Sequence, residues 1–170
     1  MKAFLLITAL LSLVLLGGFI GLGIYRFGLL PSYSSYARKW KEFVPIHNVN
    51  LWSAVTIVAA LLLVPSLLEN STGSPVQVFG FFAPLYLVCV ALTPEWETVH
   101  KQMVLHVLFT MMCAICFLCY VCFAIHLWWV ALIFIAGFAV VGLLTKSIGK
   151  DYILWAECAM FSTAYVVAFI

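Results

Sequence analysis

Residues 94–122 read PEWETVHKQMVLHVLFTMMCAICFLCYVC, and they lead into an apolar run that continues to Ile125. Between Gln102 and Ile125 there is no aspartate, glutamate, lysine or arginine. An α-helix needs about 20 predominantly apolar residues to cross the hydrocarbon core of a bilayer. The stretch therefore predicts a transmembrane helix, preceded by a short polar segment that contains Glu97 and His100.

The whole chain has the composition of an integral membrane protein. Of its 170 residues, 66% are hydrophobic and 8% are charged, whereas soluble domains have about 45–50% apolar and about 25% charged residues. The mean hydropathy is +1.21. Because so few charges cannot solvate so much apolar surface, a soluble globular protein is excluded and the lipid bilayer is the expected partner. A net charge of +2 does not indicate a nucleic-acid partner.

Six apolar runs predict an all-α fold, a single polytopic domain over 1–170 built as a six-transmembrane-helix bundle. The fourth and fifth runs are separated by little more than His126, where we expect a tight turn. One continuous helix over both would be about twice as long as the hydrocarbon core is thick. The six predicted helices cover about 3–25, 49–68, 76–92, 102–125, 127–145 and 152–170.

The distribution of basic residues predicts the orientation in the membrane. Lysine and arginine are concentrated on the cytoplasmic side of bacterial membrane proteins. Here the first, third and fifth connections contain seven of the eight basic residues, and the other side contains Lys2 alone. We therefore expect a multi-pass protein of the inner membrane with both termini extracytoplasmic.

Two segments suggest interactions within the membrane or at its surface. Gly17 and Gly21 in the first helix have the spacing that lets transmembrane helices approach closely, so this helix is a candidate for oligomer formation. The first connection contains the basic run Arg38-Lys39-Trp40-Lys41. A basic, tryptophan-containing segment beside a membrane is typical of a surface helix that contacts anionic lipid headgroups.

The most informative polar residue is Glu157, because a carboxylate inside an apolar helix is costly and usually faces protein or water. It lies about 8 Å inside the last predicted helix. On the predicted topology it shares a leaflet with the start of the fourth helix and with the serine-rich first connection. We therefore expect one cytoplasm-facing polar pocket whose candidate catalytic residues are Ser35, Tyr36, Glu97, His100 and Glu157.

The spacing Glu97-x-x-His100 allows both side chains to reach one divalent metal such as zinc, with Glu157 as a further oxygen ligand. The same residues also suit acid–base work, with a carboxylate that orients a neutral imidazole. A third interpretation is an interfacial ion pair of Glu97 with Lys101. The spacing alone leaves these alternatives open.

The cysteines at 113, 116, 119 and 122 repeat every third residue. On a regular helix the first and last of them lie about 180° apart, which is incompatible with one iron–sulfur cluster. We expect reduced cysteines that pack as small apolar side chains.

The order of motifs resembles that of a group of small six-helix membrane proteins of gut bacteria and their phages. The shared features are a glycine-rich first helix followed by a Pro-Ser-x-Ser-x-Tyr-like segment, a Pro-x-x-Leu-Glu end of the second helix, Glu97-x-x-His100, and Ala156-Glu157 in the last helix. That group is distantly similar to the alkaline-ceramidase superfamily, although this chain has one predicted helix fewer than is typical there. The resemblance implies a membrane hydrolase with a serine, an acid and zinc-binding histidines.

Three classes of function follow from these patterns. The first is a metal-assisted hydrolase of a lipid-like substrate, in which Ser35 positions the substrate while His100 and a carboxylate hold metal or activate water. The second is a carrier or channel subunit with a proton or cation relay at Glu157 and His100. The third is a non-catalytic membrane interaction module that recognises a partner through residues 38–41.

Overall fold

A computed structural model describes residues 2–44, 50–94, 99–133, 135–136 and 152–169. Within these ranges the regular structure is helical and there is no strand, which confirms the prediction of an all-α fold for the described residues. We number the helices α1 to α7. Their bounds are α1 Lys2–Phe27, α2 Tyr36–Phe43, α3 Leu51–Asn70, α4 Val78–Ala91, α5 His100–Cys119, α6 at 128–133 and 135–136, and α7 Tyr152–Phe169.

Three of these helices are long and apolar enough to cross a membrane. They are α1, α3, and α5 together with the π-helical turn that follows it, Tyr120–Ala124. The helices α4 and α7 are apolar but shorter. The predicted third helix over 76–92 thus corresponds to a helix of 14 residues, about 21 Å long at 1.5 Å per residue. The predicted fifth helix is described only as far as α6, and its remainder to residue 145 lies outside the described residues.

The helix α3 lies at the centre of the fold, where it packs against α1, α2, α4 and α7. Polar side chains join these neighbours inside an otherwise apolar interface. The Ser12 hydroxyl of α1 donates to the Ala59 carbonyl of α3 at 2.6 Å, and Tyr165 of α7 donates in turn to Ser12 at 2.7 Å. At the same end of α7, the Asn70 amide at the end of α3 donates to the Val167 carbonyl. Hydrogen bonds of this kind hold helices together where water is absent.

A tyrosine fixes the contact between α3, α4 and the end of α5. Tyr120 is fully buried, and its hydroxyl donates to the Leu67 carbonyl at 2.6 Å. Gly80 of α4 lies directly against the Tyr120 ring: a Cβ atom added there would be 2.7 Å from Cε2. The absence of a side chain at Gly80 therefore makes room for the ring.

The chain leaves α5 through the π-helical turn, and the helix ends before His126, whose φ is +61°. His126 is also the residue at which the sequence places the boundary between the fourth and fifth predicted helices. Trp128 and Trp129 follow and are exposed, as is typical of tryptophans at a membrane surface. The sequence did not predict the π-helical turn, because one additional residue in a single turn does not visibly change the pattern of apolar residues.

Candidate functional site

The segment between α1 and α2 folds into a loop that Tyr36 closes. Gly28 has a φ of +75°, which an L side chain rarely adopts, and it turns the chain away from α1. The Tyr36 hydroxyl donates to the Gly28 carbonyl at 2.8 Å and accepts from the Leu30 amide at 3.3 Å. Both ends of the loop are therefore tied together before α2 begins. We call residues 31–35 the serine loop.

The serine loop is docked on the first turns of α7. The amide of Tyr33 donates to Glu157 Oε2 at 2.6 Å. The amide of Leu154, one of the first amides of α7 and without a partner inside the helix, donates to the Pro31 carbonyl at 3.0 Å. These two contacts join parts of the chain more than 120 residues apart. They hold the Glu157 carboxylate in one orientation.

Three serine hydroxyls are buried together in this loop. Ser32 Oγ lies 3.0 Å from both Ser34 Oγ and Ser35 Oγ, and it accepts from the Ser35 amide at 3.2 Å. The two hydroxyl contacts use two of the three hydroxyl protons. Within the described part of the chain the third proton has no acceptor. The cluster can therefore donate one more hydrogen bond.

The side chain of Tyr33 anchors the loop to α3. Thr56 Oγ1 donates to the Trp52 carbonyl, so the Tyr33 hydroxyl is the donor in its 2.8 Å contact with Thr56. The ring also contacts Trp52 and Phe161, with centroids 5.3 and 5.7 Å away. Burial, followed by the charge of Glu157, raises the pKa of Tyr33. Tyr33 is therefore a neutral phenol that serves as an anchor.

The predicted pocket residues fall into two groups. Ser35 lies in the serine loop, Tyr36 closes the loop at Gly28, and Glu157 accepts a hydrogen bond from the loop. His100 is exposed at the first position of α5, and its imidazole makes no hydrogen bond to Glu157 or to another described residue. Glu97 lies outside the described residues. The second histidine of this region, His106, is buried and bonds Thr93 at the end of α4 with an Nδ1 to Oγ1 distance of 2.9 Å.

The sequence did not identify the direct partner of Glu157. That partner is the backbone amide of Tyr33, and every residue type except proline has such an amide. The roles of Ser32 and Ser34 were also missed, although the three serines after Pro31 were a visible signal.

The described residues do not supply the donor set of a zinc site. Within the described ranges there is no group of three or more histidine, cysteine, aspartate or glutamate side chains that can hold a metal ion. A catalytic zinc has three protein ligands and an open position. The predicted set of Glu97, His100 and Glu157 depends on a residue outside the described ranges and stays a prediction. All six cysteines are free thiols.

A cleft adjoins the docked loop through Phe161. It has a volume of about 150 Å³ and lies between α1 and α7, which both line it. Phe161 lines the cleft on one side and contacts the Tyr33 ring on the other. Gly17 widens the cleft, because it has no side chain to fill it. Cys158, the residue after Glu157, is also part of the wall.

No protein-family model matches the chain, and no curated protein and no solved structure is significantly similar to it.

Proposed function

We propose that the chain is a six-span protein of the inner membrane with both termini extracytoplasmic. This topology is supported by the three long apolar helices and by seven basic residues on one side. It places the first turns of α7, and with them Glu157, on the cytoplasmic side. We expect a C-terminal alkaline phosphatase fusion to be active and a C-terminal green fluorescent protein fusion to be dark. The opposite pattern would put Glu157 near the outer surface.

We propose further that Glu157 is the proton- or cation-binding group of a carrier or channel subunit. The observation that supports this is the state of the carboxylate: Oε2 accepts from the Tyr33 amide at 2.6 Å, whereas Oε1 accepts no hydrogen bond from a described residue. Glu157 is also partly exposed. One oxygen is fixed and the other is free to bind a proton or a cation.

The cost of placing Glu157 in this helix supports a functional role. Apart from Glu157, residues 152–169 of α7 include no aspartate, glutamate, lysine or arginine. Ionisable residues in membrane helices are rare and usually mark ion or substrate pathways. A hydrogen-bond acceptor for one backbone amide does not require a charge, since a glutamine would serve. The choice of glutamate therefore favours a role that uses the titratable group.

Ion flux across reconstituted proteoliposomes tests this function. We expect the wild-type chain to conduct protons, sodium or potassium down an imposed gradient, and Glu157→Gln to lower that flux by about tenfold or more. Glutamine keeps the acceptor for Tyr33 and removes the charge. The matched control is Glu69→Gln. Glu69 is exposed at the end of α3, where its neighbour Asn70 contacts the end of α7 that is far from Glu157. Equal flux in wild type and Glu157→Gln for all three ions would exclude the relay.

A second candidate is a hydrolase of a lipid-like substrate. It is favoured by the buried serine cluster with its spare hydroxyl proton in the same loop that contacts Glu157. In this proposal Ser35 positions a substrate oxygen and Glu157 accepts a proton from water. The test is release of fatty acid from a panel of phospholipids and ceramides, with Ser35→Ala as the variant. If purified protein contains no stoichiometric zinc, the metal-assisted form of this proposal fails.

A further inference from the structure

The helix α2 is amphipathic, and its two faces have separate surroundings. Its buried residues are Tyr36, Ala37 and Trp40, which follow the i, i+1, i+4 pattern of one helix face. The other positions are charged and exposed, apart from Phe43 at the end. Together with the exposed Arg26 of α1 they form what we call the α2 basic face, made of Arg26, Arg38, Lys39 and Lys41.

The apolar face fixes α2 beside α1, not beyond its end. The Trp40 ring stacks on Phe19 with centroids 4.5 Å apart and contacts Phe27 edge-on at 5.2 Å. Phe19 precedes the end of α1 by eight residues, which is about 12 Å along the axis. Gly23 lies between them, and a Cβ atom there would be 3.0 Å from the Tyr36 ring. The helix α2 therefore lies alongside the last two turns of a candidate membrane span.

On the proposed topology the end of α1 reaches one surface of the bilayer, so α2 lies near the lipid headgroups. Exposed aromatic side chains lie near the end of α1, at Tyr25, and at the end of α2, at Phe43, with 87% and 49% of their surface accessible. Aromatic residues are enriched at membrane–water interfaces. The Arg26 guanidinium lies over the Phe43 ring, 4.6 Å from its centroid. This contact joins the end of α2 to Arg26 at the end of α1.

The charge of this surface is predominantly positive. Among the described residues of this surface there are four basic side chains and one acid, Glu42, which accepts from Arg38 at 2.9 Å and lies 3.7 Å from Lys39. The hydrogen bond from Arg38, together with the nearby charge of Lys39, lowers the pKa of Glu42, so that it stays anionic and organises these two cations. On α2 itself three basic residues face one acid, and Arg26 of α1 adds a further positive charge to the same surface. The complementary groups at this depth are the phosphates of anionic lipids.

We propose that the α2 basic face binds the phosphate groups of anionic phospholipids in the adjacent leaflet. The apolar face of α2 is covered by α1 and α3, so the basic face is the side that meets the headgroups. The site is independent of Glu157 and of any transport or hydrolysis. Its role is to bind anionic lipid next to the serine loop, which directly precedes α2.

Lipid retention by the purified full-length chain tests this proposal. The protein is mixed with equal amounts of dioleoylphosphatidylglycerol and dioleoylphosphatidylcholine in detergent, and the retained lipids are counted by native mass spectrometry. We expect the wild type to prefer the anionic lipid. Neutralising Arg38, Lys39 and Lys41 together to glutamine should reduce this preference by about tenfold or more, and high salt should weaken it in the wild type.

Two control variants separate charge from folding. The charge-preserving set Arg38→Lys, Lys39→Arg and Lys41→Arg should keep the preference, and so should Lys2→Gln, which removes a positive charge from the other end of α1. An unchanged preference in the neutralised variant would overturn the proposal, as would its loss in the charge-preserving one. If the wild type shows no preference for the anionic lipid but binds a fluorescent oligonucleotide through this face, the partner is nucleic acid and the lipid assignment is wrong.

Discussion

Replacing Gly80 with alanine is expected to destabilise the protein by about 1–3 kcal/mol, the usual cost of forcing extra atoms into a packed core. The added Cβ would lie 2.7 Å from Tyr120 Cε2 and 3.0 Å from Cδ2. The ring cannot move aside cheaply, because Tyr120 is fully buried and its hydroxyl is bonded to the Leu67 carbonyl at 2.6 Å. Relief of the overlap requires α4 to move away from α3 and α5.

The control for Gly80→Ala is the same substitution on an open helix surface. Gly18 and Gly21 in α1 have no atom within 4 Å of an added Cβ, so alanine at either position should be neutral or slightly stabilising, by at most about 1 kcal/mol, the helix propensity difference between alanine and glycine. Stability is measured as the free energy of unfolding in mixed detergent micelles. Equal effects at Gly80 and Gly21 would show that the Tyr120 contact does not limit packing.

A double substitution identifies the contact responsible. Tyr120→Leu removes the ring atom nearest to the new Cβ, so Gly80→Ala should cost less in the Tyr120→Leu background than in the wild type. Tyr120→Phe keeps the ring and loses only the hydroxyl, so it should give no such relief. Non-additive energies of this kind are expected only for residues in direct contact.

The glycines show what the sequence can and cannot predict. The position of α1 follows from its apolar length, and the Gly17 and Gly21 spacing marks a surface where close packing is possible. Yet the described neighbours of Gly18 and Gly21 leave open space, whereas Gly23 and Gly80 lie against Tyr36 and Tyr120. A glycine spacing within one helix carries no information about which aromatic side chain of another helix will lie opposite.

The candidate site shows the same limit. Glu157 and the serine-rich segment are recognisable because charges and hydroxyl clusters are unusual in an apolar chain. Their contact with each other cannot be recognised in the sequence, because the groups that contact α7, the Tyr33 amide and the Pro31 carbonyl, belong to the backbone. The sequence favours His100 as the partner of Glu157 because both have reactive side chains. Sequence patterns do not show that a side chain will instead contact a backbone amide 124 residues away.

Replacing Glu157 with alanine is expected to loosen the serine loop around Tyr33, whereas replacement with glutamine is not. The buried Tyr33 amide now donates to Glu157 Oε2. Alanine leaves this amide without an acceptor, and an unsatisfied buried donor costs about 1–3 kcal/mol. Glutamine presents a carbonyl oxygen of the same reach, so it keeps the acceptor and removes the charge that the apolar surroundings disfavour.

The comparison of the two variants separates the two roles of Glu157. We expect Glu157→Ala to unfold more easily than Glu157→Gln by the cost of the lost acceptor, and we expect hydrogen exchange at residues 31–35 to be faster in the alanine variant alone. The Leu154 amide still holds the Pro31 carbonyl in both, so the loop should loosen around Tyr33 without full release. If both variants exchange equally fast, the charge and not the acceptor holds the loop. If ion flux is lost in Glu157→Gln while its loop stays protected, the carboxylate has a function beyond positioning the loop, because the fold has then been kept and only the titratable group has been removed.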